Sequence, residues 1–219
     1  MSTLVAVLTN GRKDCLTQMM PTLANVTFPH DSTFAIFDDS GDPEYRAWLQ
    51  KTYSGTLFRF VGDEARGYNA AMRLIWQVAE GFDHVFMVED DFLFKKPVNL
   101  QEMADGLRHF PEVAQFVLLR QPWFGNEVAV GGLLPALEAM GNPLWRGSAW
   151  IEHRATWSTN PTLFRGGDWV KEHPWPIGEG SEYRFGQELF SSEPRTVCAY
   201  WGDGTEYVEH IGERKGFGY

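Results

Sequence analysis

Short apolar runs alternate with helical segments along the first half of the chain, and this alternation constrains the fold more than any other feature. Buried strands are predicted at Leu4–Leu8, Thr33–Phe37, Leu57–Val61, Val85–Val88 and Val113–Leu119. Helical periodicity and capping signals predict intervening helices over residues 14–23, from Pro43 onward, over 70–80 and over 99–110. Strands joined by helices form a mainly parallel sheet, so we predict an α/β protein with helices on both faces of the sheet.

The second half of the chain is less regular. Residues 120–147 are rich in glycine and proline and contain one predicted short helix, near 134–140. Strands are predicted over 148–157, 160–164 and 196–201, and a helix over 181–190, whereas 206–219 has no clear periodicity. A length of 219 residues suits a single domain.

Charge and composition argue against several classes of protein. The formal net charge of −10 provides no overall attraction to nucleic acid or to an anionic membrane. No stretch approaches the ~20 apolar residues of a membrane span, and the N-terminus lacks the basic segment of a signal peptide. Cys15 and Cys198 lie in apolar contexts that are typical of buried, reduced thiols. We therefore expect a soluble, cytoplasmic protein.

Polar residues follow three of the predicted strands directly. They are Thr9, Asn10, Gly11 and Arg12 after the first strand, Asp38 and Asp39 after the second, and Glu89, Asp90 and Asp91 after the fourth. The carboxyl ends of parallel strands meet at one edge of a sheet, where ligands of such folds bind. The sequence therefore predicts one polar site built from all three clusters.

The acids Glu89, Asp90 and Asp91 lie between two apolar runs, where their mutual repulsion needs an explanation. A Mg²⁺ or Mn²⁺ ion would offset it, and such ions use one or two protein carboxylates with phosphate oxygens and water. Alternation along an extended chain predicts that Glu89 and Asp91 face one way and Asp90 the other. A solvated acidic turn is the alternative.

Several stretches together resemble the GT-A-fold glycosyltransferases that use nucleotide sugars. Residues 89–91 resemble the metal-binding DXD signature of that family, and 8–12 its first loop, which meets the nucleoside. Residues 37–42 resemble the VDDGSTD stretch, one residue shorter, and 62–71 resemble the N-x-G-x-x-x-A-x-N stretch less closely. The match covers roughly residues 3–94 and continues afterwards only as scattered motifs.

The resemblance implies a GT-A-like fold in one domain over residues 1–219. A Rossmann-like half, 1–98, would bind the nucleotide sugar, and 99–219 would bind the acceptor and end in a C-terminal lid. The implied activity is metal-dependent transfer of a sugar from a nucleoside-diphosphate sugar, UDP- or GDP-linked with UDP favoured, with inversion expected at the anomeric carbon. The acceptor would be a hydroxyl of a glycan, a protein or another compound.

The resemblance also implies which residues bind the donor. They are Thr9, Asn10, Arg12, Asp38, Asp39, Arg66, Asn69, Glu89 and Asp90. Asp38 would accept an N–H from the base, unless it only closes an Asx turn. Arg66 would meet phosphate beside a helix N-terminus, unless it is a surface arginine. Asn69 would bind the donor or simply cap that helix.

The catalytic base is expected in the second half. Residues 160–164 resemble the family's strand before the catalytic helix, and 178–183 resemble its glycine-rich loop with two acids, the second replaced here by Tyr183. Glu182 is the first candidate for the base that takes the proton from the acceptor hydroxyl, and Glu179 is the second candidate. Either acid has an alternative role as a cap at the helix N-terminus.

The tail supplies the last candidates. Several members of the family use a late histidine as a metal ligand, so Asp91 and His210 are the predicted ligands of Mn²⁺ or Mg²⁺. Arg214 and Lys215 would neutralise the departing diphosphate from a tail that closes over the donor. A surface histidine is the alternative for His210.

Other functions remain open from the sequence. A sugar nucleotidyltransferase would share the architecture, but its phosphate loop usually holds more glycine and basic residues than residues 9–13 do. A non-catalytic module that binds carbohydrate or nucleotide would keep the fold without transfer. A glycoside hydrolase with two carboxylates fits poorly, because it would need neither a nucleotide cleft nor a metal site.

Overall fold

The computed structural model describes residues 2–55, 58–62, 64–178 and 180–212. The strands are β1 (Thr3–Thr9), β2 (Val26–Thr27), β3 (Ser32–Asp38), β4 (Phe58–Val61), β5 (His84–Glu89), β6 (Phe92–Phe94), β7 (Val98–Asn99), β8 (Val113–Val117), β9 (Leu144–Arg146), β10 (Trp150–His153), β11 (Thr162–Arg165), β12 (Val197–Trp201) and β13 (Val208–His210). The helices are α1 (Lys13–Thr22), α2 (Pro43–Tyr53), α3 (Tyr68–Ala79), α4 (Leu100–His109), α5 (Gly125–Val130), α6 (Leu133–Ala139), α7 (Asp168–Glu172) and α8 (Ser181–Ser192).

Nine of the described strands form one central sheet in the order β4-β3-β1-β5-β11-β8-β12-β10-β9. The strands β4, β3, β1 and β5 are mutually parallel, and β12 is parallel to β8. Strand β11 runs antiparallel between β5 and β8, and β10 runs antiparallel between β12 and β9. The predicted, mainly parallel α/β sheet is confirmed, and strands from both halves of the chain meet at β5.

Helices cover both faces of this sheet, because the side chains of its central strands alternate between two cores. Val5 and Val7 of β1 pack into a core with α1, α2 and α4. Leu4 and Ala6 face the other core, which contains α3, α7 and α8. Trp76 of α3 lies in that second core among aromatic rings from the second half of the chain. The two cores account for the three-layer arrangement.

Two helices begin where the capping signals predict. The Asp42 side chain accepts a hydrogen bond from the Glu44 N–H at 2.8 Å, directly before Pro43 at the first helical position. Asn99 accepts from the Gln101 N–H at 3.1 Å at the start of α4. These caps satisfy backbone donors that the first turn of a helix leaves without partners.

Other elements differ from their predictions. Helix α3 begins at Tyr68 after Gly67, so Asn69 lies inside the first turn and is not the cap. Helix α5 and strand β13 lie where no element is predicted, since each is too short to show a period. The strand predicted over 148–157 is confined to β10. Among the described residues, no helix has the length and apolar character needed to cross a membrane.

Candidate active site

The three polar clusters predicted from the sequence lie at one edge of the sheet. In the parallel register, Thr9 of β1 is paired with Asp38 of β3, and Leu8 is paired with Glu89 of β5. Three neighbouring strands therefore end at the same level, and the loops that follow them surround one site. Asn10, directly after β1, is exposed at this edge.

The loop after β3 is tied together by its acids. Asp38 is buried, and its Oδ2 accepts from Arg46 Nε at 3.1 Å and Nη2 at 2.9 Å. Its Oδ1 accepts from the Ser40 N–H at 3.0 Å. This contact forms the Asx turn that the sequence offers as the alternative role of Asp38. Asp39 Oδ1 accepts from the Arg66 N–H at 2.7 Å and so joins this loop to the segment before α3. The contact of Asp38 with a base stays a prediction.

Arg12, Asp90, Asp91 and His210 form a compact group, here called the Arg12 cluster. The Arg12 guanidinium donates to Asp90 Oδ1 from one Nη atom and to Asp91 Oδ2 from the other. His210 Nε2 lies 3.1 Å from the same Asp91 Oδ2, although the two residues are 119 positions apart. The fold therefore brings together the two residues that the resemblance assigns to the metal.

Asp90 is the most enclosed of the three acids. Its side chain is fully buried, and its Oδ2 accepts from Thr9 Oγ1 at 2.6 Å. Thr9 Oγ1 lies 2.6 Å from the Tyr45 hydroxyl, which donates to it because the one Thr9 hydrogen is used on Asp90. Burial raises the pKa of Asp90 to about 6, although Arg12 and Thr9 favour its ionised form.

The expected alternation of the three acids does not hold. Strand β5 ends at Glu89, and the following two residues form a turn, so the period of an extended chain stops there. Asp90 and Asp91 share Arg12 as a partner, and Glu89 contacts a different group of side chains.

Asp91 is held in its ionised form. Burial raises its pKa, but the hydrogen bond from His210 and the charge of Arg12 outweigh burial, so the pKa lies below its usual value. For Arg12, burial lowers the pKa, but the charges of the Asp90 and Asp91 carboxylates raise it by more, so the guanidinium stays charged. Arg12 and Asp91 therefore form an ion pair at ordinary pH.

Residues that the sequence did not indicate hold His210 in place. Its ring stacks on Phe92 at a centroid distance of 4.5 Å and packs on Trp123 at 4.1 Å. Gln121 accepts from the His210 N–H at 2.9 Å and donates to its carbonyl oxygen at 2.8 Å. A Cβ on Gly212 would lie 2.3 Å from Asp91 Oδ2, so this segment can pass the carboxylate only as glycine.

The Arg12 cluster fits a divalent cation that receives part of its coordination from a ligand. Among the described residues, no group of three or more histidines, cysteines or acids is arranged to hold a metal by itself. Asp91 and His210 nevertheless offer a carboxylate and an imidazole side by side, and within the described part of the chain the buried Asp91 Oδ1 has no hydrogen-bond partner. Mn²⁺ accepts both donor types and leaves positions for phosphate and water. On binding of such an ion, Arg12 would share the Asp91 carboxylate with it or lose its hydrogen bond to that carboxylate.

A second group, here called the Glu182 cluster, comprises Tyr68, Glu89, Thr159 and Glu182. Glu182 Oε1 accepts from the Tyr68 hydroxyl at 2.6 Å and also from Thr159 Oγ1. Thr159 Oγ1 lies 3.1 Å from Glu89 Oε1 as well. Thr159 has one hydroxyl hydrogen and cannot donate to both carboxylates, so a proton on one carboxyl completes the network.

Burial and mutual repulsion set the protonation of the Glu182 cluster. Burial raises the pKa of Glu89 well above its usual value, and the charges of Asp91 and Glu182 raise it further. Burial also raises the pKa of Glu182, whereas hydrogen bonds from Thr159 and Tyr68 offset part of that rise. A carboxylate with a raised pKa is a stronger base at neutral pH than an exposed one.

Glu182 lies in the wall of a cavity of about 720 Å³. Tyr68 and Asn69 from the start of α3 also line it, as do residues of α5, α6 and the start of α8. Arg120 and Glu127 also line the cavity and form a buried ion pair, with Nη–Oε distances of 2.7 and 3.0 Å. The cavity is large enough for a small organic substrate next to Glu182.

The remaining predicted residues have varied positions. Arg66 lies before α3 with a half-exposed side chain, 3.7 Å from Glu64. Asn69 donates from Nδ2 to the Gly178 carbonyl oxygen and so connects α3 to the loop before α8. The predicted residues Glu179, Arg214 and Lys215 lie outside the described part of the chain.

Comparison with known proteins identifies the fold. No protein-family model matches the sequence, and no curated protein matches it either. The structure is similar to S. aureus TarS residues 1–349 in complex with UDP-GlcNAc, with a TM-score of 0.62 and 14% sequence identity over 99% of this chain and 60% of that one. It is also similar to the mannosyltransferase PcManGT from Pyrobaculum calidifontis in complex with GDP-Man and Mn²⁺, with a TM-score of 0.64 and 13% identity over 98% of this chain and 58% of that one.

A longer TarS structure is similar over 97% of this chain but only 37% of its own length, with a TM-score of 0.61. The chain thus spans about 60% or less of the proteins it resembles. Identities of 12–14% carry the fold and not the activity. The chain has the GT-A-like α/β fold of nucleotide-sugar glycosyltransferases.

Proposed function

We propose that this protein is a metal-dependent glycosyltransferase that moves a sugar from a nucleoside-diphosphate sugar to an acceptor hydroxyl with inversion. One observation carries the proposal: the segment from Glu89 to Asp91 takes part in both the Arg12 cluster and the Glu182 cluster. A site for an anionic leaving group and a carboxyl base beside a cavity are the two parts that such a transfer needs.

The Arg12 cluster is the proposed diphosphate side. Asp91 and His210 would hold the divalent cation, whose charge offsets that of the departing diphosphate. Arg12 is charged and adjacent, so on sharing Asp91 with the ion its guanidinium is available to phosphate oxygens. Arg214 and Lys215 would neutralise the departing diphosphate from the same side.

The edge formed by the ends of β1 and β3 is the proposed nucleoside side. Thr9, Asn10, Asp38 and Asp39 surround it. The structures with UDP-GlcNAc, UDP and GDP-Man bound support a donor of the UDP or GDP type for this fold. We favour UDP, as the sequence resemblance does. Arg66, before α3, and Asn69, in its first turn, would bind the donor, since a helix N-terminus favours phosphate.

Glu182 is the proposed base, with Glu179 as the substitute. Its carboxylate would take the proton of the acceptor hydroxyl while that oxygen attacks the anomeric carbon opposite the diphosphate. Tyr68 and Thr159 are positioning residues, because both bind Glu182 Oε1 and favour its ionised form. The acceptor would occupy the 720 Å³ cavity beside them.

A thermal-shift panel of UDP-sugars and GDP-sugars, each with and without Mn²⁺, tests the class, the donor and the cation together. We expect at least one nucleotide sugar to raise the melting temperature, and Mn²⁺ to enlarge that rise. Release of the nucleoside diphosphate in the presence of hydroxyl acceptors then tests turnover. Binding without release would indicate a non-catalytic module, and the absence of any shift would refute the proposal.

A further inference from the structure

The cavity beside Glu182 has two chemically different walls, and this difference defines an acceptor class. We propose that the acceptor is an amphipathic hydroxyl compound: a sugar ring or similar polyol that carries an apolar group. The inference rests on the proposed function, since it names the substrate class of the same cavity.

One wall is aliphatic and aromatic. Leu133 and Leu137 of α6 line it together with Phe124 and Tyr200. Leu137 and Tyr200 belong to a hydrophobic core cluster that continues behind this wall. Leucine side chains offer no hydrogen bond to a hydroxyl, so a ligand made only of sugar rings would leave its hydroxyl groups without partners there.

The charged residues of the apolar wall do not recruit a charged ligand. Glu127 accepts from both Nη atoms of Arg120, and also from the Trp123 N–H at 2.7 Å and the Phe124 N–H at 3.2 Å. Those contacts neutralise the pair and occupy its carboxylate. The wall therefore favours a neutral, apolar group over an anionic one.

The other wall, around Glu182, carries polar side chains beside the rings of Tyr68 and Trp157. Ser158, Asn160, Ser181 and Glu182 line it near the start of α8. Hydroxyl and amide side chains of this kind suit the hydroxyl groups of a sugar, and Glu182 lies among them as the proposed base. A ligand that uses both walls has its reacting hydroxyl on the polar side and its apolar group against α6.

The size of the cavity agrees with a ligand of two parts. Its volume of about 720 Å³ falls in the range of roughly 300–1,000 Å³ that is typical of sites for drug-sized ligands. Such a volume leaves room beyond a single hexose ring. The apolar wall indicates what fills that room.

Matched glycosides test the inference on the full chain without donor. Methyl and phenyl glycosides of glucose, galactose, mannose and N-acetylglucosamine differ only in the apolar group. We expect calorimetry to show at least about tenfold tighter binding of one phenyl glycoside than of its methyl partner, because the ring buries apolar area against α6. Equal affinities in every pair, or no binding of any glycoside, would overturn the inference.

Variants locate the effect. Leu133→Asn should abolish the preference for the phenyl glycoside while retaining binding of the methyl glycoside, and Leu133→Met should keep the preference. Val128→Asn on the exposed face of α5 is the matched control and should change neither affinity. A preference that survives Leu133→Asn in a folded protein would contradict the assignment.

Transfer assays separate this inference from the proposed function. If sugar is transferred equally well to both members of every pair, the proposed function stands and the acceptor class is wrong. If the phenyl glycoside binds preferentially but no nucleotide sugar is turned over with it, the cavity assignment stands and the transferase proposal fails.

Discussion

The Arg12 cluster and the Glu182 cluster share the end of β5, yet the pKa of Asp91 in the first is shifted in the opposite direction from those of Glu89 and Glu182 in the second. In the first, Arg12 and His210 hold the pKa of Asp91 below its usual value. In the second, Thr159 and Tyr68 bind Glu182 through neutral groups, and burial raises the pKa of both Glu89 and Glu182. Glu89 and Asp91, two residues apart, thus have pKa values shifted in opposite directions because the groups around them differ.

This contrast also explains why the proposed transfer needs both clusters. A site for a diphosphate and its cation needs a carboxylate that stays ionised, whereas a base for a hydroxyl needs a carboxylate that binds a proton readily. Asp90 shows that a cation alone is not sufficient, since its pKa is about 6 despite its ion pair with Arg12. Burial and charge together decide each case.

Removal of the base should have the largest effect. Glu182→Gln should lower the transfer rate by about 10²–10⁴-fold, because the amide cannot take the acceptor proton. Donor affinity, measured by calorimetry with Mn²⁺, should stay unchanged, because the Arg12 cluster is intact. Glu188→Gln on the exposed face of the same helix is the control and should keep full activity. Full activity in Glu182→Gln would exclude Glu182 as the base.

Loss of the ionised acid in the Arg12 cluster should come next. Asp91→Asn should weaken Mn²⁺-supported donor binding by about 10–100-fold, since the neutral amide is a poor ligand for a hard cation. Arg12 keeps Asp90 as a partner, so the melting temperature should change little. Asp105→Asn, at a partly exposed position of α4, serves as the control. Unaltered donor affinity in Asp91→Asn would refute the metal role.

Tyr68→Phe should lower kcat about tenfold, the value of one hydrogen bond to a charged group. Glu182 must be ionised to act as a base, so the rate falls as pH falls through its pKa. The Tyr68 hydrogen bond favours the ionised form, and its loss raises that pKa further. The acidic limb of the pH–rate profile should therefore move to higher pH.

A tyrosine of the other cluster provides the matched control for Tyr68→Phe. The Tyr45 hydroxyl reaches Asp90 only through Thr9. Tyr45→Phe should therefore leave the acidic limb unchanged. An equal shift in both variants would mean that the two clusters titrate as one unit and would remove the distinction between them.

The smallest effect is expected at His210. His210→Gln should raise the Mn²⁺ concentration needed for half-maximal donor binding by about fivefold, because the amide oxygen would replace the imidazole nitrogen as a weaker metal ligand. A titration followed by thermal shift measures this change. His109→Gln, at an exposed position of α4, is the control and should give the wild-type curve. An identical curve for His210→Gln would refute its role as a ligand of the proposed cation.

The sequence predicted the edge of the sheet where the site lies, because each polar cluster directly follows a strand. Parallel pairing of β1 with β3 and β5 then brings Thr9, Asp38 and Glu89 to one level. Such information is local in the chain, and periodicity is sufficient to find it. The orientation of Asp90 was not predictable in this way, because alternation applies only as far as the last residue of the strand.

The partners of Glu182 and His210 were beyond reach of the sequence. Thr159 lies 70 residues from Glu89 and 23 from Glu182, and Gln121 lies 89 residues from His210. These contacts arise from tertiary packing, and a threonine or a glutamine in an irregular segment gives no local signal. Strand β13 was missed for the same reason, since its three residues are defined by their pairing with β6.

Gln121 has a consequence for how the proposed cation site could be altered. Its amide makes the two hydrogen bonds with the His210 backbone that a neighbouring strand would otherwise supply. The distance between the imidazole and Asp91 is therefore set in part by the length of one side chain. Gln121→Asn, shorter by one methylene, would shift the segment without replacing Asp91 or His210, and so would change the spacing of the two proposed cation ligands.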